Sequence, residues 1–437
     1  MLSVLSQIKE RLFPKPTLEK LLGSKEFVLG YEGKKLEKAV TLSDDELNKS
    51  VLIVGSNGMG HQHRYFYPTM HKIDNKANSS MFVIDDGSSY EIRKNLNEKR
   101  IMFELGNEQS HKFNWIPLCK GKDNLHMAKL MAQCSLYRTS DEANNFHHDL
   151  AAEFLAAIYI YIANTDTPTP INAYKLICET EALSLVKLLM ECDIEVVRQI
   201  ASVISTMDKQ LIGKYLLSIN NNLEWLKDER VISLTNTTEV IDFARLRKEK
   251  VSVYVNALEE YWAMEKRLEL MILNCALVQL IESKEGNRVY LFVKYLAHLG
   301  YISWLSYSGK LRGNIFNKNN ITLIASSPNN SHPWLKTYIK HSWLDTCSKE
   351  DLANLLHTFH TKVFLEDYGV GEFMEYLPEF KDLIGFRSTR DNPLALCIKR
   401  LGNEQLVLIN GRKPFLVEFP PKKTISSDVY LTVESNK

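Results

Sequence analysis

The side chains of this chain best placed to do chemistry lie in the stretch KSVLIVGSNGMGHQHRYFYPTM, Lys49 to Met70. An apolar run, Val51 to Val54, enters a glycine-rich turn whose spacing Gly55-x-x-x-x-Gly60 is that of a phosphate-binding loop. Such a loop needs three things. Backbone amides must converge on phosphate oxygens, which Gly55, Gly58 and Gly60, with Asn57 among them, permit. A lysine ammonium must reach the β and γ oxygens, and a Ser or Thr hydroxyl must hold Mg²⁺. Here the two positions after Gly60 are His61 and Gln62. An imidazole is shorter than lysine and mostly neutral at pH 7, and Gln62 offers a carbonyl where a hydroxyl belongs. Losing one preorganised stabiliser typically costs about 10²–10³ in rate, and here two are missing. The residues alone leave two readings open: a nucleotide loop stripped of its catalytic groups, or a tight strand-to-helix turn.

Other candidate groups carry less. His61, His63 and His71 cluster in sequence, but His61 and His63 stand two apart at a helix start and diverge by about 200°. No Cys or carboxylate completes a ligand set, so no metal is expected. His147 and His148 read as one buried ring and one exposed neighbour. The basic run ARLRKEK, 244–250, reads as a solvated helix end rather than a nucleic-acid contact. No Ser-His-Asp or Cys-His arrangement is legible from spacing.

The elements that must position these groups follow from the hydrophobic pattern. FVLGYEG and KAVTL read as short strands, and VLIVG (51–55) as a buried parallel strand. MFVIDD (81–86) and RIMFELG (100–106) follow at βαβ spacing, with SSYEIRKNL as a helix between them that Ser88 or Ser89 would cap. From about Lys122 to Lys227 helical periodicity takes over; TDTPTPIN (165–172) marks a break between helices. Strands return with VSVYVNAL (251–258). A long amphipathic helix, Glu259 to roughly Lys284, then precedes VYLFVKYL (289–296) and ITLIASS (321–327). TKVFLED and a hairpin, EQLVLINGRKPFLVEF with Asn410-Gly411 as its turn, close the pattern. Alternating strands and helices imply a parallel sheet covered on both faces.

Length and composition bound the rest. The 437 residues suggest two or three domains at about 150 residues each. Lys plus Arg is 54 against 53 Asp plus Glu, a net charge of +1. That balance neither demands nor excludes nucleic acid, and argues against a surface built mostly to hold polyanions. Seven dispersed cysteines without C-x-x-C read as reduced thiols of a cytosolic protein. The longest apolar run, Leu150 to Ala163, contains Glu153 and is too short to span a bilayer. Leu5, Ile8 and Leu12 share a helical face read as core packing.

Taken in order, these segments resemble the type IV secretion coupling proteins, the TraG/TraD-type conjugation ATPases with a RecA-like domain. Pro68 stands seven residues after the lost lysine position, as in that family's loop. MFVIDDGSSYEI stands where the family has a strand followed by DPKGELYEIT, and HKFNWIPL at its NPL element. NNFHHDLAAEFLAAIYIYI resembles the first long helix of its all-α domain. FARLRKEKVSVYVNAL resembles the entry into the second half of the motor. VYLFVKYLAHLG resembles the Walker B segment, and GNEQLVLINGRKPFLVEF the closing strands. The likeness runs over roughly residues 25 to 420.

The resemblance implies an α/β, RecA-like P-loop NTPase-type domain formed by 25–120 and 236–437. An all-α inserted domain would occupy 121–235, with a helical segment at 1–24. It also locates the departures. Lys294 stands where the metal-organising Asp belongs, and Tyr295 where the catalytic Glu should polarise water. Ser326 and Ser327 replace a sensor Gln, and DPKGEL has become DDGSSY, keeping Asp85. Lys294 is expected either to act as an internal cation towards Asp85 or to point into solvent at a strand end. No cofactor is expected, with ATP binding at most weak and without Mg-dependent hydrolysis. The resemblance implies a catalytically inactive component of a secretion or conjugation apparatus, a scaffold or recruitment subunit. Its partners would be other type IV secretion subunits, an active coupling ATPase among them, and a secreted protein or the relaxosome through 121–235. Its place would be cytoplasmic, peripheral at the inner face of the bacterial inner membrane. Two alternatives stay open: a divergent translocase with a rewired site, and a nucleic-acid-binding module without motor activity.

Overall fold

A computed structural model of the chain describes residues 27–32, 38–55, 62–74, 76–93, 99–121, 125–136, 142–256, 262–283, 285–294, 315–328, 359–365, 404–410, 415–418, 423–425 and 431–433. The N-terminal segment with Leu5, Ile8 and Leu12 lies outside these residues.

Among the described residues the frame is an eleven-stranded sheet. In chain order its strands are β1 (Phe27–Glu32), β2 (Lys38–Leu42), β3 (Val51–Gly55), β4 (Ser79–Asp85), β5 (Lys99–Glu104) and β6 (Val251–Asn256). They continue with β7 (Arg288–Val293), β8 (Ile321–Pro328), β9 (Thr361–Phe364), β10 (Glu404–Ile409) and β11 (Phe415–Glu418). The spatial order is β2-β1-β11-β10-β9-β3-β8-β7-β4-β6-β5. From β9 to β5 the pairs are parallel; β9/β10, β10/β11, β11/β1 and β1/β2 are antiparallel. The expected parallel sheet is thus the larger side of a mixed one, running from β9 to the β5 edge. The β10–β11 hairpin forms, with Val407 paired to Phe415, and Gly411 of the expected turn lies outside the described residues.

Strand periodicity sorts the apolar side chains into two cores. On β3, Val51 and Ile53 enter one core with Tyr65, Phe66, Met70 and Phe292. Leu52 and Val54 enter the other, with Phe82, Ile84, Leu291 and Val293. That second core continues into helices between β5 and β6: Leu125–Ser135, Glu142–Ala163, Pro170–Glu179, Ala182–Glu191, Glu195–Ser205, Lys209–Leu223 and Glu229–Thr235. The expected break at 165–172 ends with Pro170 opening a helix, where its missing N–H leaves no bond unmade.

Two expectations are corrected. The helix expected to be amphipathic, Trp262–Glu282, is buried nearly all round from Leu268 to Leu280, Glu269 and Asn274 included. It runs inside the larger core, so it has no wet face over that length. The run 244–250 is no solvated helix end at Arg247, whose side chain is 3% exposed. Its guanidinium donates to the carbonyls of Ser283, Asn287 and Asn320 at 3.1, 2.9 and 2.9 Å, to Leu280 at 2.9 Å, and to Asn319. Burial, with Arg288 nearby, pulls its pKa down to about 10.

Candidate functional site

Four neighbouring parallel strands, β3, β8, β7 and β4, end on the same edge of the sheet, and their carboxyl ends carry the residues singled out above. In open α/β sheets this edge is where ligands bind. Gly55 closes β3 against Leu365: a Cβ on Gly55 would stand 2.6 Å from the Leu365 Cβ, so the position admits only glycine. Residues Asn57, Gly58, Gly60 and His61 of the loop lie outside the described residues. The chain is described again from Gln62, in a π-helical turn Gln62–Phe66 that runs into the helix Tyr67–Asp74. Burial of Arg64, Tyr65, Phe66 and Tyr67 anchors this turn in the smaller core.

The turn after β4 is built by its own aspartates. Asp85 Oδ1 accepts from the Gly87 amide at 2.9 Å, and Oδ2 from the Ser89 amide at 3.2 Å. Asp86 Oδ1 accepts from the Ser88 amide at 3.3 Å and from the Ser88 hydroxyl. The helix Ser88–Arg93 therefore starts with its free amides capped by Asp85 and Asp86, not by Ser88 or Ser89 as the sequence suggests. Gly87 sits at φ +82°, the left-handed conformation glycine adopts most easily.

Lys294 follows β7 directly. Its backbone amide donates to the Ile84 carbonyl at 2.9 Å, which extends the β7–β4 ladder by one residue. Its side chain is 10% exposed, and its ammonium forms an ion pair with Asp86 Oδ2. The solvent-pointing alternative is therefore wrong. The internal-cation expectation holds with a different direct partner, Asp86 instead of Asp85. Asp86, not Asp85, turns its second oxygen to this ammonium, while both Asp85 oxygens accept from backbone amides of the turn.

Gln62 is corrected in polarity. Its Nε2 donates to Ser88 Oγ at 2.8 Å and stands 3.4 Å from both Asp85 Oδ2 and Asp86 Oδ1. Among two carboxylates and a hydroxyl the amide turns its NH₂ inward, so Gln62 acts as a donor and not as a carbonyl ligand. Tyr67 Oη adds a second bond to Ser88 Oγ, at 2.9 Å. Asp86 and Tyr67 complete the group, and sequence reasoning had not assigned them. An acidic residue beside Asp85 and a tyrosine one helical turn after Gln62 were the available signals.

Electrostatics separates the two carboxyls. Burial, reinforced by neighbouring Asp86, raises the Asp85 pKa above the ordinary carboxylate range. Burial pushes Asp86 the same way, but the Lys294 charge and the Lys294, Ser88 and Gln62 hydrogen bonds outweigh it, and Asp86 ends below that range.

The remaining sequence candidates divide. Ser326 is buried and in register with Ile53 one strand away. Ser327 is in register with Val54, and Tyr295 lies outside the described residues. His63 packs edge-on against Tyr67, and among the described residues no group of three or more His, Cys, Asp or Glu could hold a metal. His147 is exposed and shares a 2.9 Å hydrogen bond with the Tyr215 hydroxyl, while the His148 ring is only 9% exposed.

A Mg²⁺–nucleotide site of the P-loop kind needs oxygen donors facing the metal. An ammonium and an amide NH₂ instead face Asp85 and Asp86 here, so these residues do not fit that metal.

No protein-family model and no curated protein matches the sequence. The fold is shared with solved structures. The bacterial conjugative coupling protein TrwBdeltaN70 in its unbound monoclinic form matches with a TM-score of 0.65 at 13% identity, over 92% of this chain and 91% of that one. The plasmid coupling protein TrwB in complex with ADP and Mg²⁺ matches at 0.61 and 13% identity, over the same shares of the two chains. VirB4 of Thermoanaerobacter pseudethanolicus matches at 0.50 and 14%, over 91% of this chain and 97% of that one. The chain thus has the RecA-like α/β fold of these proteins, with helices inserted between two strands of the sheet.

Proposed function

We propose that this chain is a coupling-protein-like component of a type IV secretion or conjugation system that does not hydrolyse nucleotide and acts as a scaffold or recruitment subunit. The fold shared with TrwB and VirB4 supports the setting. One observation carries the loss of hydrolysis: the ammonium of Lys294 is seated on Asp86 where the resemblance places a metal-binding carboxylate. Phosphoryl transfer depends on a metal and on preorganised charge around the phosphates. In this reading the loop amides hold nucleotide only weakly, without Mg-dependent turnover.

Residues 121–235 are the recruitment domain in this reading, and 25–120 with 236–437 the scaffold. Of the five exposed large apolar side chains among the described residues, Leu183, Met190, Val203 and Leu217 lie on helices of that segment, and Val240 lies outside it. Its partners are other type IV secretion subunits, an active coupling ATPase among them, and a secreted protein or relaxosome. No helix of the described residues is long and apolar enough to cross a membrane; in this reading the chain is held at the inner face of the inner membrane by a partner.

The test is a Mg-ATP and Mg-GTP hydrolysis assay on the full chain with and without DNA. No turnover above background is expected in either. A rate near about 1 s⁻¹ or faster, typical of working enzymes, overturns the proposal in favour of a translocase with a rewired site.

A further inference from the structure

We infer that Lys294 is an internal substitute for a divalent cation: its ammonium occupies the charge position beside Asp85 and Asp86, and closes it to Mg²⁺ and Mn²⁺ until the lysine is removed. The inference rests on the non-hydrolysing reading and states what took the metal's place.

The accounting is complete at the level of single oxygens. Asp85 Oδ1 takes the Gly87 amide, and Oδ2 takes the Ser89 amide with the Gln62 amide at its margin. Asp86 Oδ1 takes the Ser88 amide and hydroxyl, with Gln62 again at its margin. Asp86 Oδ2 takes Lys294. Every carboxylate oxygen thus faces a donor. A divalent ion requires about six oxygens with lone pairs turned inward, and would have to displace the ammonium and reverse the Gln62 amide. The ammonium is also tethered: the bond from the Lys294 amide to Ile84 fixes the base of its side chain, and burial limits its escape. A cation linked to the chain acts at high effective concentration, so added metal competes poorly.

Removing the lysine reverses this. Lys294→Ala leaves Asp86 Oδ2 open beside a second carboxylate and the Ser88 hydroxyl, and a metal ion bound there would turn the Gln62 carbonyl inward. The experiment titrates Mn²⁺ into the full chain and follows the free-ion signal by electron paramagnetic resonance. It compares the natural chain, Asp86→Asn, Lys294→Ala, Lys294→Arg and Lys294→Ala with Asp86→Asn. Lys294→Ala is expected to gain one Mn²⁺ site about tenfold or more tighter than any in the natural chain. Lys294→Arg stays closed, and Asp86→Asn abolishes the gained site. Lys294→Met, which keeps much of the stem's packing, serves if the alanine variant does not fold. If neither folds without metal, Mn²⁺ is expected to restore the fold.

A folded Lys294→Ala chain that binds Mn²⁺ no better than the natural one overturns the inference. So does a Mn²⁺ site in the natural chain that Asp86→Asn removes, or unfolded variants that Mn²⁺ does not rescue. Hydrolysis by the natural chain would defeat the functional reading while leaving the Mn²⁺ result standing. A failed Mn²⁺ gain would leave the absence of hydrolysis untouched.

Discussion

Gln62 and Lys294 show how far one side chain's chemistry depends on what faces it. Gln62 carries both a carbonyl and an NH₂, and the two aspartates and Ser88 select the NH₂. Lys294 carries one sign of charge, and Asp86 takes it. The pair makes a pH prediction whose sign follows from the shifts. Asp86 has a folded pKa below its unfolded one. Its contribution to stability is present above the ordinary carboxylate pKa and is lost as pH falls through the lower, folded value. Asp85, raised by burial, runs the other way: it contributes below its unfolded pKa, and that contribution is lost as pH rises through the folded one. Asp86→Asn is therefore expected to cost stability at pH 7, by about 1–3 kcal/mol for a hydrogen bond to a charged group. The cost shrinks towards about pH 3, below the unperturbed aspartate value of about 3.9. Urea denaturation at the two pH values measures it; a pH-independent difference would show that the ion pair contributes nothing.

At the scale of elements, the end of the sheet opposite the site is tied by Arg247. Its five N–H groups match five carbonyls from the end of the helix Trp262–Glu282 and from the turns before β7 and β8. The turn before β7 closes on the same residue: the Asn287 amide donates to the Arg247 carbonyl at 2.8 Å. Gly286 sits there at φ +113°, and a Cβ would stand 2.2 Å from that carbonyl oxygen. Gly286→Ala is expected to destabilise by more than about 1 kcal/mol, since both the conformation and the space refuse the methyl. Arg247→Met is expected to cost at least about 3 kcal/mol through carbonyls left without donors. Arg247→Lys recovers only part of that, because an ammonium has three donors and no planar fork. Chemical denaturation of the three variants reads these effects; a neutral Arg247→Met would refute the tie.

At the scale of the molecule, the helices between β5 and β6 share one core with a face of the sheet. Leu155, Met271 and Leu291 belong to the same buried cluster, which passes through the buried helix Trp262–Glu282. A continuous core predicts that these helices and the sheet unfold together. Far-UV dichroism and tryptophan fluorescence are expected to give coincident transitions. Leu155→Ala is expected to lower both by about 2–5 kcal/mol. A separate early transition for the helices alone would show that they fold as an independent unit.

The strands and the helical segment were legible because periodicity is local: two-residue alternation and 3.6-residue recurrence are properties of neighbours in the chain. Gly55 and the cation at Lys294 were legible for a related reason: one keeps and the other departs from a motif with fixed spacing. Partners were not legible. Lys294 meets Asp86 across more than two hundred positions of sequence, and Arg247 is buried at a sheet end that its basic neighbours in sequence do not suggest. The sequence by itself determined which elements form and which residue types stand at the strand ends. Only the tertiary structure decided which charges meet, because burial and strand order bring distant residues together and set the polarity each must present.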